Sequence, residues 1–580
     1  MKRQESDGSR AFMALVLIVS LSYTSFAMAQ ETLSVSEYIL KRCQYLQQFK
    51  KVPVCSTCVA SEITIPRFYM DRGYQPAWQD KNLRGQMIKA ISDSYTHGLN
   101  PKDYHQQEIN KLVAKIQQGT YTSSDMADLD MLLTDGLLRL SFHLFYGKVS
   151  PESLDPDWNF KREILDKDPA RYLERVISSG NIKANIDKLW PHQPYYQVLR
   201  LWLKRYRELA KHPWPLVFFK KSLKVGMRGP DISLLRKRLA AEGYIKKQFP
   251  TEEAGLFDKE LEDAVKDFQL HHGLYVDGIV GKNTVLALNL PPSFKVNKIR
   301  VNLERARWVL HDLPERFLLV NIAGFRLFYF ENGEKKWSCK VMVGKPFWKT
   351  PVFKATMEYV VVNPYWVVPP GILEKEVIPK IKRDPSYLSK NDMEIVDAKG
   401  RWINPRSINW RKINPSRFPY IIRQRPGPKN ALGRIKFIFP NKHFVFLHDT
   451  PAKSLFSRNM RAFSHGCIRV EKPLELARII FKGSKRWNLE KIKEIISSGK
   501  NKIIHLENRI PILILYWTVV RNDDDTITFL PDIYSRDKKI LIGLDTPLRV
   551  AFGPMEEKEA SAPKLIKTAI SSSFLQDTAL

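Results

Sequence analysis

The stretch Ser464-His465-Gly466-Cys467-Ile468-Arg469-Val470, with Phe446-Leu447-His448-Asp449-Thr450-Pro451 upstream of it, decides how this chain is read. A cysteine preceded by histidine and glycine, with a second histidine about one hairpin away, is the minimum set for thiol nucleophilic catalysis. The thiolate is the reactive form, and a free thiol near pKa ~8.5 needs a base or a nearby cation to supply it. His448 reads as the end of a strand, and the loop beginning at Asp449 can return Cys467 to it. The imidazole is then placed to take the thiol proton, and the resulting ion pair lowers the thiol pKa. Gly466 allows close backbone approach, and the amides of Gly466 and Cys467 are candidate oxyanion donors. His465 is a candidate for holding the loop or sharing in proton transfer. Arg469, always charged, is a candidate for orienting a carboxylate or the loop itself.

Outward from this motif the chain has a β texture. Alternation predicts strands over 317–322 and 326–330, a hairpin turn at Glu331-Asn332-Gly333-Glu334, and further strands over 339–345 and 359–362. Strands return over 435–439 and 444–448, a helix follows over 473–481, and closing strands are expected over 512–520 and 526–534. Cys339 reads as a small core residue. Between about 370 and 425 the pattern breaks into a Pro-rich, charged and partly helical insertion. Such an insertion between strands often forms a lid or a substrate-binding loop.

The first half is different. Residues 61–220 read as a mainly helical domain whose many Tyr and Trp are core. Residues 221–290 form a compact unit punctuated by Gly226, Gly229, Gly243, Gly255, Gly273, Gly278 and Gly281. Within it His271-His272 offers no metal site, because adjacent residues do not share a helix face; both are expected to be surface or packing residues. A basic amphipathic helix, 298–310, leads into the strands.

The chain has 580 residues, and a prior of ~150 per domain suggests three or four units. Its net charge is +32, from 93 basic and 61 acidic residues spread along the whole length. With no zinc-finger spacing and no aromatic RNA-binding signature, this favours general attraction to a polyanion such as a cell wall over base reading. Lys2, Arg3 and Arg10, an apolar run over 11–21 and the small residues Ala27 and Ala29 read as an export signal cut after Ala29. The run is short of the ~20 residues of a spanning helix, so the expected location is periplasmic, with an inner-membrane anchor as the alternative if the signal stays uncleaved. Export removes nucleic acid as a partner. Five cysteines remain to be placed. A local disulfide between two of Cys43, Cys55 and Cys58 is the expectation for the N-terminal cluster in residues 30–60.

His448, the fifteen residues after it, and Ser464-His465-Gly466-Cys467-Ile468-Arg469 together resemble the signature of the L,D-transpeptidases with a YkuD-type catalytic domain. Asn430-Ala431-Leu432-Gly433-Arg434-Ile435-Lys436-Phe437 and Pro440-Asn441 carry the same likeness. The glycine-punctuated unit resembles the three-helix peptidoglycan-binding domain. The aromatic helical domain and the insertion are similar to those of the family's large periplasmic branch, where they are a scaffold and a capping lid. The Cys43, Cys55 and Cys58 cluster is not part of that pattern. The resemblance implies a multidomain α+β chain. Its parts are a signal (1–29), an N-terminal segment (30–60), a scaffold (61–220), a wall-binding domain (221–290), a linker helix (291–316), a catalytic domain (317–550) with a lid at about 371–425, and a tail (551–580).

The resemblance also implies chemistry. Cys467 attacks the third residue of a tetrapeptide stem and expels D-alanine, and the diaminopimelate amine of a neighbouring stem resolves the thioester into a 3→3 cross-link. His448 is base and then acid, supported by Ser464, His465, Gly466 and Arg469. No metal or organic cofactor is implied, carbapenems are expected to acylate Cys467, and other wall-synthesis enzymes are candidate partners. Three alternatives stay open at this point: an L,D-carboxypeptidase, an enzyme attaching a lipoprotein lysine to the wall, and a non-catalytic wall-binding protein.

Overall fold

The computed structural model describes residues 33–49, 52–54, 57–59, 61–156, 158–160, 165–245 and 255–547. The expected export signal, the side chains of Cys55 and Cys58, and the 551–580 tail lie outside the described residues. Among the described residues no helix is long and apolar enough to cross a membrane.

The C-terminal half is built on nine strands: β1 (Arg316–Asn321), β2 (Arg326–Glu331), β3 (Glu334–Gly344), β4 (Phe353–Val362), β5 (Ile435–Ile438), β6 (Leu447–His448), β7 (Ala462–Ser464), β8 (Ile468–Val470) and β9 (Lys502–Leu515). They follow the order β7-β3-β8-β6-β5-β4-β9-β1-β2, and β2 also pairs with β3, so the sheet closes on itself. Closure leaves no open edge between β2 and β3. Val320, Val341, Phe437, Leu447, Ile468 and Ile512 are fully buried in the core. The β2–β3 hairpin turns through Asn332 and Gly333, both at positive φ, as an Asn-Gly pair favours.

Two expectations for this region are corrected. The closing strand begins at Lys502, not near 512, and its pairing with β4 shifts between His505 and Ile510, just before Pro511. The charged run Glu507-Asn508-Arg509 hid it, because an irregularity with a proline beside it breaks the alternation. It also stops at Leu515; Val519–Arg521 then pairs with Ile527–Phe529 in a separate hairpin. The insertion, in turn, carries a four-stranded sheet of its own, ordered Trp366–Val367, Ile421–Gln424, Met393–Val396, Trp402–Ile403. Its core is formed by Val377, Ile381, Leu388, Ile395 and Ile422. Strands of two to four residues are too short to register as a period.

The N-terminal region is helical around Ser123–Tyr146, which opens with a Thr122/Asp125 capping box. Asp130 on this helix accepts from the Tyr69 hydroxyl (2.6 Å) and from the amides of Ala77 (2.9 Å) and Trp78 (2.8 Å). The aromatic residues are core as expected, with Phe68, Tyr69, Trp78 and Tyr104 buried. Within the N-terminal segment (30–60), the helix Val35–Phe49 buries Ile39, Cys43 and Leu46. Arg42 ties it to Asp128 at 2.5 Å. Cys43 is a free buried thiol among the described residues, and desolvation pushes it up to about 12.

The glycine-punctuated unit has helices Pro230–Glu242, Lys259–His271 and Lys282–Leu288 around a core of its own. Gln269 knits its last turn, accepting from the amides of Asp277 (3.0 Å) and Gly278 (2.9 Å). His271 and His272 are packing residues. His272 stacks on Phe268 at 3.9 Å, and His271 meets Thr526 at 2.9 Å, docking the unit on the C-terminal half.

The connecting helix, Pro292–Val309, departs from the basic amphipathic helix expected over 298–310. It is buried along most of its length because its interior cations have acidic partners: Lys295 with Glu242 and Arg307 with Glu304, both buried, and Arg305 with the half-buried Asp537. Lysine and arginine read as surface only until such partners are in view.

Candidate active site

β6 and β8 run parallel side by side, with Leu447 opposite Ile468 and His448 opposite Arg469. Leu447 and Ile468 are fully buried. Strand alternation therefore puts Phe446, His448, Cys467 and Arg469 on the opposite face. β5 adds Lys436, which is paired with His448.

His448 is 4% exposed. Its Nδ1 lies 2.6 Å from the carbonyl of Asp449, an acceptor that draws the ring proton to Nδ1 and leaves the lone pair on Nε2. Burial pushes its pKa down to about 3, and the Arg469 cation adds to the effect. The ring is therefore neutral, in its proton-accepting form. Asp449 is braced in turn: it accepts from the Arg434 amide (2.9 Å) and pairs with Lys453 (2.6 Å). Gly433 must be glycine here, at φ +62 and with space for a Cβ only 2.3 Å from the Asp449 carboxylate.

Cys467 is half-buried, with Sγ 3.6 Å from the carbonyl of Phe444. Desolvation pushes its thiol up, while a Phe446 backbone hydrogen bond, Lys436 and Arg469 pull it down. The resting pair is thus a neutral thiol and a neutral imidazole rather than the ion pair expected above. The burial that raises the one lowers the other.

Ser464 ends β7 and is the hinge of the loop. Its Oγ donates to the Cys467 carbonyl (2.5 Å) and accepts from the Gly466 amide (3.1 Å). That engages one of the two expected oxyanion donors. The Cys467 amide donates to no group among the described residues. Gly466 sits at φ +122, which restricts the position to glycine although a Cβ would meet nothing. The Gly466 carbonyl is held by the Thr350 hydroxyl at 2.7 Å.

His465 faces the insertion. Its Nε2 is 2.8 Å from Glu376, and its ring lies 4.0 Å from that of Trp348. This arrangement ties the loop to the insertion.

Three neighbours carried no signal of their own in the sequence: Glu376, Trp348 and Lys436. The Lys436 ammonium stands 4.0 Å over the Phe446 ring and lowers the thiol pKa. Neither Lys436 nor Arg469 has a carboxylate partner among the described residues, and Arg469 Nε is buried without a hydrogen bond. Two unpaired cations beside a thiol favour the thiolate and also an incoming carboxylate. Lys436→Met is expected to slow alkylation of Cys467 by iodoacetamide at pH 8 by roughly 3- to 10-fold. Peptide mass spectrometry should find Cys43 and Cys339 unmodified in both proteins, since burial pushes each thiol up to about 12.

Residues 315–487 match the family model described as "L,D-transpeptidase catalytic domain", residues 64–203 the "Scaffold domain", and residues 228–288 the "Putative peptidoglycan binding domain". A Haemophilus influenzae protein named "Putative L,D-transpeptidase" is 33% identical over 276 residues, covering 46% of this chain and 55% of that relative. The chain thus spans about half the length of that relative. The Mycobacterium tuberculosis "N-acetylmuramoyl-L-alanine amidase CwlM" is 40% identical over 73 residues, 12% of this chain and 18% of that protein. A solved L,D-transpeptidase from Xylanimonas cellulosilytica aligns at 14% identity over 52% of this chain and 100% of its own, with a TM-score of 0.16.

Proposed function

We infer that this chain is an exported enzyme forming 3→3 cross-links between peptidoglycan stems through a Cys467 thioester, a reading supported by its matches to the models of an L,D-transpeptidase catalytic domain, a peptidoglycan-binding domain and a scaffold domain. The observation that carries this reading is the neutral His448 on the strand beside Cys467, with its lone pair directed to Nε2 and two unpaired cations on the same face.

Acylation proceeds as follows. His448 takes the thiol proton as Sγ bonds to the carbonyl carbon of the third stem residue. Lys436 and Arg469 stabilise the charge on sulfur or hold a stem carboxylate. The Cys467 amide, left without an internal acceptor, donates to the developing oxyanion. The bond to D-alanine breaks, and the proton on His448 leaves with its amine. In the second half-reaction the diaminopimelate amine of another stem attacks the thioester, gives its proton to His448, and releases the thiol.

The insertion closes over this site as a lid latched by Glu376 to His465. It keeps water from the thioester, which favours the amine acceptor over hydrolysis. The three-helix unit and the +32 charge support retention on the anionic wall. Incubating the enzyme with a disaccharide-tetrapeptide and recording the intact mass tests the covalent step. The expected adduct is the donor less D-alanine, lost on hydroxylamine treatment. An adduct mapped to any residue other than Cys467 would rule the mechanism out.

A further inference from the structure

A cavity of about 260 Å³ lies between the N-terminal helical region, the helix Pro292–Val309 and the segment after the Ile527–Phe529 strand. None of Cys467, His448, Lys436 and Arg469 lines it. Its apolar wall includes Trp158, Trp308 and Trp517, the first two meeting edge to face at 5.6 Å. Among the described residues four cations also line it, Arg305, Lys349, Arg536 and Lys539, together with one carboxylate, that of Asp155.

The charges there are incompletely matched. Asp537 answers Arg305 at Nη1 (2.6 Å), but Arg305 Nη2 is buried with no hydrogen-bond partner among the described residues. Asp155 stands 3.8 Å from Arg536, too far for a hydrogen bond. Lys349 reaches a backbone carbonyl, that of Tyr534, at 3.1 Å. Burial and the Arg305 charge both press on the Arg536 guanidinium and push its pKa below the ordinary value. Surplus positive charge at the edge of an aromatic cavity is relieved by an anion that brings its own apolar surface.

We propose that this cavity is a second binding site, taking a small organic anion with an apolar or aromatic body and a carboxylate or phosphate head. Its volume is at the lower edge of the ~300–1,000 Å³ of drug-sized sites, which limits the occupant to a compact molecule. The cavity wall also braces the catalytic loop. The Tyr534 hydroxyl donates to the Gly344 carbonyl (2.6 Å) and accepts from the Thr350 amide (3.2 Å), while Thr350 Oγ1 holds Gly466. An occupant therefore rests on residues that position the segment carrying Cys467.

Calorimetric titration of the full chain with 2-naphthoate and with uncharged 2-naphthamide tests the site. Saturable binding of the naphthoate is expected, with the amide weaker by about tenfold or more. Lys539→Glu, at an exposed position, should weaken naphthoate binding by about threefold or more, and Leu154→Trp, which fills the cavity, should remove it. Equal binding of the amide, no binding to the wild type, or unchanged binding in both variants would overturn the proposal. So would loss of binding in Arg469→Met with Lys539→Glu unaffected, because that pattern moves the anion to the Cys467 face.

Discussion

Replacing Cys467 with alanine is expected to abolish acyl transfer, lowering turnover of a tetrapeptide donor by on the order of 10⁴-fold or more. Thermal stability and retention on isolated sacculi should stay at the wild-type level. The substitution deletes a half-buried Sγ that lies 3.6 Å from the Phe444 carbonyl and beside the Phe446 backbone. The loop around it is held by other groups: the Ser464 hydroxyl, the Thr350 hydroxyl and the Glu376–His465 pair. The three-helix unit has its own core and does not depend on the thiol. Full activity of the alanine variant would end the cysteine mechanism. Loss of sacculus binding together with activity would instead point to a folding defect, which a melting curve detects.

The second large effect is expected at His448. His448→Gln should lower kcat/KM for acylation by on the order of 10²- to 10⁴-fold, the usual contribution of a positioned base. The pH dependence separates this pair from an ordinary thiolate–imidazolium couple. His448 accepts a proton only as pH approaches about 3, and Cys467 holds its proton beyond the normal thiol value. The reactive neutral pair therefore persists between those limits. Wild-type acylation should be flat from about pH 5 to about pH 8, with no fall near the ~6.5 of a free histidine. An acid limb near that value that vanishes in His448→Gln would contradict the buried, neutral ring.

The site was legible where it is contiguous in the chain. Ser464 to Arg469 carry their chemistry within six residues, and His448 is one loop away. Lys436 was not legible as a functional group, because it reaches Cys467 only through the order β5-β6-β8. Within Ile435-Lys436-Phe437-Ile438 it reads as the polar half of an alternating strand. Glu376 lies 89 residues from His465 and is joined to it by the docking of the insertion. The Gly466 amide read as an oxyanion donor because sequence cannot reveal that the Ser464 hydroxyl already occupies it. The helix Pro292–Val309 misled through composition: its lysine and arginines are interior because acids from distant segments meet two of them. Local periodicity found the strands of the closed sheet. It missed the two-residue strands of the insertion, which exist only through their partners.

The proposed function turns on a stem amine, rather than water, resolving a Cys467 thioester. Mass spectrometry of products from purified disaccharide-tetrapeptide tests this directly. Dimers joined between two diaminopimelate residues, each forming with release of one D-alanine and absent with Cys467→Ala, are the expected result. Tripeptide monomer as the sole product would contradict it and make the chain a hydrolase.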